Sequence, residues 1–173
     1  MELKTENKIA FGGGCHWCTE AVFQSLNGVR LVEQGYIAST GDASTFSEAV
    51  IVHFNPLVIS ETVLLEIHLH THKSTSMHSM RHAYRSAVYV FSEIQHKSLS
   101  NLLNGFQKDF NNCLITKVYS FHAFRASRDA IKNYYLNNPE KPFCERYIAP
   151  KLLFLLERYS IYLKQSIQTK STL

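Results

Sequence analysis

The residues with the clearest chemical potential sit near the front of the chain, in "GGGCHWCTEAVF", Gly12 to Phe23. Two cysteines stand three positions apart, separated by His16 and by Trp17, the only tryptophan. A thiol placed where a glycine turn hands over to a helix meets exposed backbone N–H groups and the positive end of the helix dipole. Both favour thiolate over thiol. The glycines also let the backbone bend sharply and admit a substrate close to it. Cys15 fits that junction, while Cys18 falls one turn inside the helix. On these residues alone three chemistries stand open. A thioredoxin-like dithiol uses CxxC at a helix start. A zinc site would draw on Cys15 and Cys18 with His68, His70, His72, His78 or His82, although no second CxxC or HxxxH pair completes a tetrahedral set on one element. The third is a single nucleophilic thiol resolved by a distant cysteine; an inert buried thiol is the alternative to all three.

These side chains need a scaffold, and the pattern supplies one. Lys8–Phe11 reads as a short buried strand, followed by a helix from Cys15 to Leu26 that stops at Asn27-Gly28. Val29–Tyr36 and Ser47–Phe54 read as strands. Ser60 caps a helix carrying Val63, Leu64 and Ile67, and Tyr84–Phe91 is again a strand. Ser92 and Gln95 form a capping-box pair that opens a helix through about Phe110, and Leu114–Phe121 is strand-like. A helix over about Ser127–Tyr135, a proline-containing tail and an apolar last helix from Pro150 complete the chain. The first six elements run strand, helix, strand, strand, helix, strand. That order is the α+β ferredoxin-like split βαβ plait, a βαββαβ core with additional C-terminal helices and a cysteine-bearing tail. The expected organisation is one domain over residues 1–173, with the plait over about 8–121 and the tail and helices over about 122–173.

Bulk properties narrow the function classes. At 173 residues the chain can bury a core without disulfides or metal as scaffolding. The net charge of +4 is mild and the Lys and Arg residues are scattered, which argues against nucleic acid as a partner. The start, "MELKTENK", lacks an apolar signal region, and no run approaches the ~20 apolar residues of a membrane span. A cytoplasmic protein is expected, in which the four cysteines stay reduced and are not structural staples.

The single-nucleophile reading gains from a resemblance. "GGGCHWCTEAVF" resembles the GCFW signature of the A-type peptide methionine sulfoxide reductases. "LNGVRLVEQGY" is similar to that family's "PGV…GY" segment, "SEAVIVHFNPLVIS" to its Glu-bearing strand, and "LLEIHLHTH" to its histidine-ended helix. "YRSAVY" is similar to its Tyr-Arg-Ser strand, and "NPEKPFCERYIAPKL" to its cysteine-bearing tail. The matches are collinear from about Ile9 to Leu152. The resemblance implies reduction of methionine S-sulfoxide, free or in proteins, by a monomeric enzyme. Cys15 would attack the sulfoxide sulfur and become a sulfenic acid, and Cys144 would condense with it to a disulfide. Thioredoxin, or dithiothreitol in its place, would reduce that disulfide, with no metal or organic cofactor. Glu48 matches the family's acid, kept protonated by partial burial, Tyr36 and Tyr84 its hydroxyls on the sulfoxide oxygen, and Trp17 with His16 its wall around the S-methyl group.

This chain departs from the family pattern at several points. His16 replaces the usual Phe, Lys73-Ser74 replaces Asp-Pro after the second helix, and Ile37-Ala38 replaces a glycine pair. The usual Tyr-His-Gln segment before the tail reads Ala130, Ile131, Lys132. The alternative expectation is therefore a catalytically impaired relative, acting as a thiol redox or metal-binding protein.

Overall fold

Alternation along the central strands builds the fold. In β1 (Asn7–Gly12), Ile9 and Phe11 point into one apolar cluster and Ala10 into another, so the strand is covered on both faces. β3 (Ser47–Phe54) behaves likewise, with Val50, Val52 and Phe54 on one side and Ala49 and Ile51 on the other. The computed structural model describes residues 7–168. With β2 (Val29–Ala38), β4 (Ala87–Val90), β5 (Lys117–Ser120) and β6 (Ala123–Ala126), these strands form a six-stranded sheet ordered β5-β4-β1-β3-β2-β6. All neighbours pair antiparallel except β4 and β5, which are parallel.

The two faces are covered differently. On one, α1 (His16–Gln24), α2 (Glu61–Thr71), α3 (Glu93–Phe106) and α5 (Ala149–Arg158) lay down Val22, Leu64, Leu65, Leu99, Leu103, Leu152 and Leu155 to make the main core. The other face is covered by aromatic rings, Phe91, Tyr119, Phe121 and Phe124, packed over Ala10, Ile37, Ala49, Ile51, Ala87 and Tyr89. Caps fall where the sequence placed them. Ser60 Oγ accepts from the Val63 amide at 3.3 Å, and Ser92 Oγ from the Gln95 amide at 3.1 Å. Gln95 does not close the reciprocal half of a capping box; its Oε1 takes the Phe91 amide at 2.7 Å instead.

Several elements differ from the pattern reading, and β5 is shorter than the expected Leu114–Phe121 strand. β4 starts only at Ala87, because the Arg85 amide donates to Ser47 Oγ at 2.7 Å and the Tyr84 amide to the Met80 carbonyl, so neither joins the ladder. The expected helix over about Ser127–Tyr135 is only a single turn at Asp129–Ile131 and a short α4 (Tyr134–Asn137), interrupted by Asn133 in the left-handed region at φ 53°. The helix starting near Pro150 ends at Arg158 and is followed by a turn at Ser160–Tyr162.

β6 has no counterpart in the pattern reading. "AFRA" has weak strand character, but the edge of β2 from Gly35 to Ala38 is open and β6 pairs along it. Gly35 is what permits the close approach, since a Cβ there would run into the Arg125 carbonyl and the Phe124 ring at 2.6 Å. Gly35→Ala is therefore expected to push β6 from the sheet edge and lower stability by about 1–3 kcal/mol. Thermal unfolding checks this, together with loss of amide-exchange protection confined to residues 123–126.

Candidate functional site

The junction between β1 and α1 is held from three sides. His68 Nε2, on α2, lies 2.9 Å from the Gly12 carbonyl. Arg81 Nη1 donates to the Gly13 carbonyl at 2.8 Å and to the Tyr84 carbonyl at 2.9 Å, so one guanidinium fastens the turn to the segment carrying Tyr84. Gly13 has φ +155°, and a Cβ there would strike the His72 ring. Cys15 follows as the N-cap of α1, and its carbonyl accepts the Cys18 amide at 3.1 Å and the Thr19 amide at 3.3 Å. Two amides of the first turn turn elsewhere. The His16 N–H donates to Glu48 Oε2 at 2.9 Å, and the Trp17 N–H faces the Cys15 sulfur.

Glu48 and Tyr36 are ladder partners across β3 and β2, so their side chains share a face. At period two that is the helix-covered face of Val50 and Val52. Tyr84 completes the group. Its hydroxyl is pushed up from its ordinary range, first by the Glu48 charge, then by burial, Cys15 and Tyr36, and so stays a donor at neutral pH. His16 is only 3% exposed. Its Nδ1 lies 2.9 Å from the Gly35 carbonyl, its Nε2 3.8 Å from Glu48 Oε2, and its ring stands edge-on to Tyr36 at 5.2 Å. The ring thus braces Glu48 and Tyr36 from behind and does not line the cavity described below.

Trp17 stacks face to face on Tyr134, with ring centroids 3.9 Å apart, and meets Phe143 edge-on at 5.2 Å. Tyr134 is placed by Glu20, a carboxylate only 1% exposed on the buried side of α1. Its two oxygens accept the Asn133 and Tyr134 amides at 3.0 and 3.1 Å. Burial pushes the Glu20 carboxyl up and these amides pull it back.

On the other side of Cys15 opens a cavity of about 580 Å³, lined among others by Cys18, Lys73, Tyr84, Phe143 and Lys151. Cys15 and Cys18, one turn apart at the start of α1, both line it. The neighbouring Cys18 and burial raise the Cys15 thiol, whereas Cys18 is lowered, first by Cys15 and further by Lys151, against its own burial. Lys151 Nζ donates to the Thr71 carbonyl at the end of α2. Cys144 is fully buried in a wide π-helical turn, Cys144–Ile148, and its electrostatic influence falls on Cys18. Cys113 is exposed and outside the site. Among the described residues no three His, Cys, Asp or Glu side chains converge as a metal-ligand set.

The structure thus gathers Cys15, Glu48, Tyr36, Tyr84 and His16, sets Trp17 against an aromatic cluster, and buries Cys144 in the turn before α5. The pattern reading passed over Arg81 and Lys151. Arg81 carries no sequence signal, standing in a stretch without periodicity. Lys151 carries none either, standing well inside a helix that runs without a break from the π-helical turn Cys144–Ile148 into α5.

Comparison with known proteins follows this geometry. The family model described as peptide methionine sulfoxide reductase matches residues 7–160. A relative named peptide methionine sulfoxide reductase MsrA, from Deinococcus radiodurans, is 34% identical over 89% of this chain and 82% of its own. Mxr1 from Saccharomyces cerevisiae, crystallised in an unusual oxidised form, superposes with a TM-score of 0.65 at 25% identity, covering 78% of this chain and 83% of its own. The same yeast protein in complex with Trx2 shares the fold at a TM-score of 0.60 and 22% identity, over 75% of this chain and 84% of its own.

The two histidines under the glycine turn make stability pH-dependent. His68 and His72 stack at 4.1 Å, and burial is the main cause that lowers both, His72 to about 4. Their folded values lie below the unfolded one near 6.5, so between about pH 6.5 and 4 the unfolded chain binds more protons and stability falls as pH falls. The expected loss is on the order of 2 kcal/mol for the half-buried His72 alone. Urea denaturation at several pH values measures it, and His72→Gln should flatten the decline.

Proposed function

The chain belongs to the peptide methionine sulfoxide reductase family, and from that premise we propose that it reduces methionine S-sulfoxide, free or in proteins, with Cys15 as nucleophile. The observation that carries this reading is the bond from the His16 N–H to Glu48 Oε2, which seats a carboxyl beside the residue that begins α1. The Cys15 sulfur attacks the sulfoxide sulfur. Negative charge grows on the sulfoxide oxygen, and Glu48 delivers a proton to it while the Tyr36 and Tyr84 hydroxyls hydrogen bond to the same atom. Methionine leaves, and Cys15 is left as a sulfenic acid. Trp17, braced by Tyr134 and Phe143, is assigned to the methyl end of the substrate. With His16 drawn under Gly35, its role there is indirect, through the position of Glu48 and Tyr36.

Cys144 is assigned as the resolving thiol. It is buried, so closing a disulfide to Cys15 requires the Cys144–Ile148 turn to open; π-helical turns are frequent at functional sites. An external dithiol, thioredoxin in the cell or dithiothreitol in the tube, then reduces the disulfide by exchange, and no further cofactor enters the reaction. A cytoplasmic setting suits four unpaired cysteines, and no described helix is long and apolar enough to cross a membrane. The strand order β4-β1-β3-β2 with antiparallel pairing supports classing the core as the ferredoxin-like split βαβ plait.

The test is turnover of dabsylated methionine S-sulfoxide with dithiothreitol. Wild type should release methionine and Cys15→Ser none above background, while Glu48→Gln should lower kcat by about 10²–10⁴-fold. A Cys15→Ser protein as active as wild type sinks the reading. Peptide mapping after one turnover without reductant should find Cys15 joined to Cys144; a Cys15–Cys18 bond would move the resolving role to Cys18.

A further inference from the structure

Lys73, Arg81 and Lys151 have no part in the reaction above, and all three meet at the end of α2. Lys151 Nζ donates to the Thr71 carbonyl and Arg81 Nη2 to the Lys73 carbonyl. Lys73 and Lys151 line the cavity beside Cys15, which Cys15 lines as well. Arg81 is half-buried next to it, with Nη1 on the Gly13 and Tyr84 carbonyls and Nε on that of Ser76, at 2.8 to 2.9 Å. These bonds all go to backbone, and none neutralises the guanidinium.

The positive charge is not balanced. No Asp or Glu is among the described residues that line the cavity. Among the described residues no carboxylate makes an ion pair with any of the three cations. The carbonyl end of α2 offers roughly half a negative charge against three positive ones. Glu48 takes the His16 N–H and is the acid of the reaction, so it does not offset them. Lys73 also disfavours the charge of Lys151. Where the family has Asp this chain has Lys73, which removes an anion and adds a cation at the same cavity.

We propose that the cavity beside Cys15 is a carboxylate subsite, in which Lys73 and Lys151 bind an anionic group that the substrate carries next to its sulfoxide. The proposal rests on the reductase reading and deepens it by naming the substrate class. The carboxylate is either that of an acidic residue beside methionine sulfoxide in a peptide or the α-carboxylate of the free amino acid. At about 580 Å³ the cavity is of ligand-pocket size, with room for more than one side chain. An ammonium has three N–H donors, so Lys151 keeps two after the Thr71 carbonyl has taken one. Lys73, exposed, supplies a second ammonium, and Arg81 adds its field while its donors stay on the backbone.

Binding to the full-length Cys15→Ser protein, followed by amide chemical shifts, tests this without turnover. Two ligand pairs each differ by one carboxylate. The first is N-acetyl methionine S-sulfoxide against its amide; the second is an end-blocked methionine sulfoxide–aspartate dipeptide against its asparagine counterpart. In at least one pair the acid should bind about fivefold tighter at ~20 mM salt, and the advantage should fade by ~0.5 M. The pair that shows it names the source of the carboxylate. Adding Lys73→Gln or Lys151→Gln should cut the advantage to about twofold, and Lys73→Asp should abolish it. Lys97→Gln, on α3, should keep it. Circular dichroism reports folding; if the Lys151 variant is unfolded, the exposed Lys73 decides alone. Acid and amide binding equally in both pairs, or an advantage that survives Lys73→Asp, overturns the proposal. Wild-type turnover of the same ligands separates the two readings. Turnover without a carboxylate preference sinks the subsite alone, and a binding preference without turnover sinks the reductase reading alone.

Discussion

The first free amide of α1 sets the geometry of the site. A helix begins with N–H groups that have no partner within the helix, and the His16 N–H finds Glu48 Oε2 at 2.9 Å. That bond ties the start of the helix to the middle strand of the sheet and fixes Cys15, the residue before it, relative to an acid. The β1–β3 ladder makes the bond reachable, because Gly12 pairs with Ala49, next to Glu48. The β2–β3 ladder then delivers Tyr36 opposite Glu48. Substrate chemistry on this face depends on strand register: a slip of one residue would turn Glu48 and Tyr36 to the aromatic-covered face.

Around that bond the chain invests buried polar groups in a turn without side chains of its own. The Gly12 and Gly13 carbonyls are taken by His68 and Arg81, and the His72 ring occupies the space a Cβ of Gly13 would need. Each partner comes from a different part of α2 and the segment after it, so the turn is rigid only when the helix layer is docked. The same layer carries a liability in acid, since two stacked neutral imidazoles lie where protonation has no room.

The segment after β6 matters as much to the site as the sheet does. Glu20 captures the amides of Asn133 and Tyr134, which brings Tyr134 flat against Trp17. α5 brings Lys151 to the cavity that Cys15 and Cys18 line, and the preceding turn carries the buried Cys144. Cys15 accordingly has two unlike sides. One is acidic and tyrosine-rich, suited to a sulfoxide oxygen; the other opens on the cavity lined by Cys18 and Lys151.

Much of this was legible beforehand. Apolar and β-branched runs bounded by turn residues marked β1, β2 and β3, and Ser47–Phe54 matches its strand end to end. Ser60 and Ser92 announced their helices through the capping chemistry itself. β6 was not legible, because a four-residue edge strand has little propensity and forms only where a neighbour offers unpaired backbone. In the site, Cys15, Glu48, Tyr36 and Tyr84 were marked by motif, but Arg81 and Lys151 act through positions nearly 70 and more than 130 residues from Cys15 in the chain. The sequence by itself determined the local elements and placed a thiol at a helix start. Tertiary structure alone decided that His16 turns inward to Gly35, that Glu20 brings Tyr134 against Trp17, and that a lysine from α5 reaches the cavity beside Cys15. Those outcomes depend on electrostatics and burial between elements far apart in the chain, which no local pattern encodes.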